Sequence, residues 1–192
     1  LLELADLGER LGRDSFGLKI IENQLFRGYS GTARILSGVI VLLVALFMAQ
    51  DAFPKNWAYH LAGWALVYTL AMVLNIGSLF AKFLATSRGL SDWQRLRPVW
   101  DIVPALVVAG VLTMHLVQRD LYSSLFGLWM AMYGLIHLGA RFHLPRWVEH
   151  VGWYYLLCGV ACLLFPPSFY NPWPMGIVFF VGELLGGLIF YT

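Results

Sequence analysis

Few residues in this chain set a reactive group where it would have to work. Glu183 is the first. It lies in Val181-Gly182-Glu183-Leu184-Leu185-Gly186-Gly187, and no other Asp, Glu, Lys or Arg follows Glu149. A carboxylate at the centre of a bilayer costs at least ~2.5 kcal/mol to insert, so it needs a partner, a proton or an ion. The functional reading is a proton-binding or ion-binding carboxylate. The structural reading is a protonated or hydrogen-bonded Glu that joins helices or meets a partner subunit. It is preferred because the sequence sets no second buried carboxylate or basic residue beside Glu183. The histidines come next, since a lone imidazole among apolar residues can ligate a haem or a pigment. On the spans derived below, His115 and His137 fall toward opposite faces of the bilayer and cannot share one metal. His60 shares the depth of His115, which leaves an outer pair open. His60, His115 and His137 are the ligand candidates, a single-histidine pigment site ranking ahead of a bis-histidine haem. A hydrogen-bonded interhelical histidine is the structural alternative.

The remaining polar residues point to packing. Cys158 and Cys162 stand one helical turn apart, which is not the Cys-x-x-Cys spacing of a redox or zinc pair. Asn75 reads as an interhelical hydrogen-bond donor, worth about 0.6 kcal/mol on average. Asp101 and Arg97 read as an interfacial pair, with Pro104 loosening the start of the helix that follows. Gly182, Gly186 and Gly187 permit close helix contact, including contact with another protein. No phosphate-binding glycine loop, nucleophile elbow or zinc motif is present, so neither a catalytic residue nor a metal site is assigned.

The elements that carry these residues follow from composition. Of 192 residues, 59% are hydrophobic, 16% aromatic and 12% charged, and mean hydropathy is +0.69. A soluble domain carries about 25% charged residues. The deficit excludes a disordered chain, a disulfide scaffold and a coiled coil. A net charge of +2, spread between apolar blocks, excludes a nucleic-acid partner. An integral membrane protein remains. A helical span takes about 20 apolar residues. The charge-free stretches, with Pro166-Pro167 and Asn171-Pro172-Trp173-Pro174 dividing the last, predict six helices near 33–51, 57–81, 99–117, 121–140, 147–165 and 173–191. The expected fold is all-α and polytopic: residues 33–192 form a six-helix transmembrane domain of three tandem hairpins, preceded by a cytoplasmic or interfacial amphipathic segment over 1–32.

Lys and Arg set the orientation, because cytoplasmic loops carry the excess. Arg10, Arg13, Lys19, Arg27, Arg34, Lys82, Arg88, Arg95, Arg97, Arg141 and Arg146 fall on one side, and only Lys55 and Arg119 on the other. Both termini are therefore expected in the cytoplasm. Trp57, Trp93, Trp100, Trp147 and Trp173 sit at predicted helix ends, where an indole suits the interface. Trp64, Trp129 and Trp153 lie deeper and are expected to pack between helices. In the N-terminal segment Leu4, Leu7 and Leu11, then Leu18, Ile21 and Leu25, recur at helical spacing. Charges throughout that segment exclude a signal peptide. The missing initiating Met and the lack of a polar tail are what a trimmed piece of a longer protein would show.

Internal similarity supports the hairpins. AGVLTMHLVQRDLYSSLFG matches CGVACLLFPPSFYNPWPMG in the separation of its glycines, Gly110 to Gly127 and Gly159 to Gly176. Trp64-Ala-Leu-Val-Tyr68 matches Trp129-Met-Ala-Met-Tyr133. With runs such as ALVVAGVLTMHL and YYLLCGVACLLF, this layout resembles the HdeD-like family of small bacterial inner-membrane proteins over residues 33–191. The resemblance implies a fold more than an activity, and an association with acid resistance. The long segment LATSRGLSDWQRLRP and the polar N-terminus depart from that pattern.

These features lead to a non-catalytic, multi-pass protein of a bacterial inner (plasma) membrane, an accessory or structural subunit of a larger membrane complex rather than an enzyme. Its expected partners are the lipid bilayer and other membrane subunits or further copies of itself. Two alternatives stand beside it: a small transporter or acid-stress protein using Glu183, and a pigment-, quinone- or haem-binding subunit using His115, His137 or His60. No cofactor is assigned by the sequence.

Overall fold

The computed structural model describes residues 30–86, 97–139 and 147–191, and the side chains of these except 82–86 and 97–101. Every regular element among the described residues is helical: α1 (Gly31–Met48), α2 (Trp57–Thr86), α3 (Arg97–Gln118), α4 (Leu125–Gly139), α5 (Val148–Leu164) and α6 (Trp173–Leu188). Short 3-10 turns, Tyr122–Ser124 and Ile189–Tyr191, precede α4 and follow α6. Three helical stretches are long and apolar enough to cross a membrane: Gly31–Met48, Trp57–Ala81 and Trp173–Tyr191. The apolar stretches Ile102–Gln118 and Val148–Leu164 are shorter. The predicted amphipathic helices before residue 30 lie outside the described residues. So do the side chains of the basic segment 82–97, Arg141 and Arg146, Trp93 and Trp100, and the Asp101–Arg97 pair.

Local chemistry sets the helix ends. The Ser30 hydroxyl accepts from the Ala33 N–H at 3.2 Å and caps α1. After α3 the chain closes with Leu121 N–H on the Leu116 carbonyl and Asp120 N–H on Val117. Asp120 takes the left-handed conformation there, with φ 56, the geometry of a helix end normally reserved for Gly or Asn. At α6 the Asn171 side chain accepts from the Trp173 N–H at 3.2 Å, and Pro174 sits where a helix has no hydrogen bond to lose.

Glycine decides which helices touch most closely. A Cβ on Gly159 of α5 would stand 2.4 Å from the Ala131 nitrogen of α4, and one on Gly134 would stand 2.6 Å from the Leu156 nitrogen. The α1–α6 contact is as close: a Cβ on Gly31 would meet the Gly187 carbonyl at 2.5 Å. The backbones of each pair therefore approach without side chains between them. The buried face of α1 is Gly31, Arg34, Gly38, Val41, Ala45 and Met48, a three-four spacing that runs the length of the helix. Its apolar half joins Trp64 and Val67 of α2, Phe126 and Met130 of α4, Phe169 and Met175 in one core cluster. By contrast α3 packs chiefly on α4, where Trp129 Nε1 donates to Thr113 Oγ1 at 2.9 Å. Val107, Val111 and Met114 of α3 consequently stay exposed. Trp153, expected between helices, is 48% exposed, because α5 turns Tyr155 rather than Trp153 toward the core.

Candidate functional site

Arg34 and Glu183 meet inside the bundle. Arg34 is the fourth residue of α1, and Glu183 lies five residues before the end of α6, or about 7 Å along the axis. It therefore sits toward that end of its helix. Both are 3% exposed. The guanidinium forks onto the carboxylate, Nε to Oε2 at 3.0 Å and Nη2 to Oε1 at 3.0 Å. Two phenols complete the set: Tyr133 of α4 donates to Oε1 at 2.8 Å and Tyr155 of α5 at 3.0 Å. Four helices thus converge on one carboxylate through four hydrogen bonds.

His137 closes the network from the other side of Arg34. Arg34 Nη2 lies 2.9 Å from His137 Nε2, and His137 Nδ1 lies 2.9 Å from the Tyr133 carbonyl. Guanidinium has donors and no acceptor, so Nε2 must present its lone pair. Nδ1 then carries the proton and donates to the carbonyl. The imidazole is neutral in a single tautomer, and the cluster carries one positive and one negative charge. Aromatic contacts brace it, with the Tyr133 and Tyr155 rings edge to face at 4.8 Å.

The glycines around Glu183 are explained by the same side chains. A Cβ on Gly182 would stand 2.3 Å from Cζ of Tyr155, and one on Gly186 would stand 2.6 Å from Cζ of Arg34. On α1, a Cβ on Gly38 would meet Cβ of Glu183 at 3.0 Å. Gly182, Gly186 and Gly187 therefore serve contacts within this chain: the first two admit the ends of long polar side chains, and Gly187 abuts α1. One turn along α1 from Arg34, Ser37 accepts a hydrogen bond from Asn75 of α2 at 3.0 Å, and its own hydroxyl donates to the Ala33 carbonyl.

The structure brings two of the sequence candidates together, Glu183 and His137, through Arg34. His60 is buried at the opposite end of α1, and His115 is exposed on α3. Cys158 and Cys162 are free thiols at the edge of the core. Among the described residues no group of three His, Cys, Asp or Glu is placed to hold a metal ion. The sequence alone sets no basic residue beside Glu183; the structure corrects this with Arg34, one of the charges that flank the apolar runs. A signal for the pairing was present. Arg34 and Glu183 each stand beside buried small residues, Gly31, Ser37 and Gly38 on α1 and Gly182, Gly186 and Gly187 on α6. Tyr133 and Tyr155 carried no comparable signal, being two of nine tyrosines.

Chemically the arrangement is a lock. Among the described residues the carboxylate accepts from the Arg34 guanidinium and two phenols, and the histidine lone pair is engaged by Arg34. No protein-family model matches the chain, and neither a curated protein nor a solved structure matches it.

Proposed function

We propose that this chain is a non-catalytic, multi-pass protein of a bacterial inner membrane, serving as a structural or accessory subunit of a larger membrane assembly. Its six helices cross as three hairpins, with both termini in the cytoplasm. The observation that carries this reading is the engagement of Glu183. The one acid buried among the described residues is held by four donors from its own chain, a bidentate guanidinium and two phenols, as expected of a carboxylate that ties helices together. Exposed apolar residues on α2 and α3, among them Leu66, Val73, Val107 and Met114, suit lipid and neighbouring subunits. Gentle extraction from native membranes, followed by mass and composition analysis, tests the proposal. Recovery within a reproducible hetero-assembly is the expected result, and recovery as a lone chain would overturn the subunit role.

The competing reading is a proton-linked or acid-stress role for Glu183, which the HdeD-like resemblance favours. One observation supports it: the acid is joined by hydrogen bonds to two phenols and, through Arg34, to an imidazole. The discriminating variant pairs Arg34→Met with Glu183→Leu. On the structural reading the double variant still assembles and supports acid survival, whereas a proton-carrying Glu183 would lose that survival in a folded protein.

A further inference from the structure

His60 and Trp64 stand one turn apart on α2, on the face turned into the core, at the end of α1 away from Arg34. They are 1% and 3% exposed. The imidazole is enclosed by rings, Phe53 at 5.0 Å and Tyr170 at 5.3 Å, both edge to face, and Phe169 at 6.1 Å. The indole meets Phe126 edge to face at 5.7 Å. Within this aromatic enclosure His60 Nδ1 and Trp64 Nε1 are buried, and neither has a hydrogen-bond partner among the described residues. A buried polar group left unpaired has lost its hydration with nothing in return. Two such nitrogens on successive turns of one helix face make a shared site more economical than two separate losses.

We propose that His60 and Trp64 bind one neutral oxygen atom between them, supplied by a water molecule or by a carbonyl or hydroxyl of a small apolar compound. The indole N–H only donates, so the bound atom must accept. Imidazole Nδ1 donates in one tautomer and accepts in the other, so it matches a carbonyl or a hydroxyl equally well. An oxygen about 2.9 Å from each nitrogen spans nitrogens up to about 5.8 Å apart. Residues at i and i+4 have Cβ atoms about 5–6 Å apart on one helix face, which sets the two rings side by side. Neutrality follows from the surroundings. Asp51, Lys55, Arg119 and Asp120, the charged residues of this end among those described, are all exposed, and aromatic rings line the enclosure.

The test uses the intact chain in lipid nanodiscs, labelled with nitrogen-15 at Trp and His, with Trp64→Phe assigning the indole resonance. The proposal expects a hydrogen-bonded Trp64 N–H whose resonance moves in His60→Phe while the other seven indoles stay in place. Magnetisation transfer from water to Trp64 N–H would identify water as the source. A hydrogen-bonded N–H without that transfer, with a small molecule retained in the native mass, would identify the compound. A Trp64 N–H in the non-bonded range that His60→Phe leaves unmoved would overturn the proposal. Should His60→Phe fail to fold, the wild-type Trp64 resonance decides between the hydrogen-bonded and non-bonded outcomes; should Trp64→Phe fail, Trp64→Tyr supplies the assignment.

Discussion

Two buried histidines mark the two ends of this bundle, and their surroundings differ in kind. His137 sits in a polar cluster in which both ring nitrogens have partners and the tautomer is dictated by Arg34 and the Tyr133 carbonyl. His60 sits among Phe53, Phe169 and Tyr170 with Nδ1 unpartnered in the described structure. One end is held by hydrogen bonds to a charge pair and tolerates little adjustment. The other is held by ring packing, and its polar atoms are left over for something small. The difference teaches that a buried histidine has no fixed meaning: the groups around it decide whether it braces the fold or is available to bind.

That contrast can be broken at several points. The largest effect belongs to the ion pair. Glu183→Gln should destabilise the protein by about 3–5 kcal/mol, because Arg34 is left buried without its counter-charge. Reversible unfolding in mixed micelles would show it, and a loss below about 1 kcal/mol would mean that Arg34 finds other compensation. His137→Phe comes next, at about 3 kcal/mol, since it strands a donor of a buried cation. His60→Phe, by the same measurement, should cost no more than about 1 kcal/mol, because it removes at most one net hydrogen bond and adds apolar contact. Equal costs for the two would erase the distinction between the ends. A smaller effect separates two glycines. Gly182→Ala drives a methyl into the Tyr155 ring, which the Glu183 network holds in place, and should cost about 1–3 kcal/mol. Gly63→Ala meets the Sδ, Cε and Cγ of Met48, a flexible side chain, and should cost below about 1 kcal/mol.

The sequence made the helices legible because charge-free apolar runs and their Pro and Asn breaks are local signals. Six helices appear near the expected positions, with α2 running five residues past Ala81 and α4 starting at Leu125 after a 3-10 turn. The site was half legible. Glu183 was conspicuous as a lone carboxylate, but Arg34 lies 149 residues away and resembled a flanking charge. Its pairing depends on α1 packing against α6, the first described helix against the last, a contact that the small residues on both helices permit without specifying it. The internal repeat misled in a useful way. Tyr68 and Tyr133 occupy matched positions, yet Tyr68 is 52% exposed while Tyr133 donates to Glu183. Matched spacing reproduced the helices without reproducing their neighbours. Trp64 and Trp129, also matched, diverge likewise: the second donates to Thr113, and the first has no partner in the described structure.

The central claim is that Arg34 and Glu183 form a structural lock and depend on each other. A double-mutant cycle tests it most directly, with Arg34→Met, Glu183→Leu and their combination compared by unfolding free energy in the same micelles. The account predicts that each single change costs about 3–5 kcal/mol and that the combination costs less than either, because no unpaired charge remains. Costs that simply add would contradict it, showing that the two residues act independently.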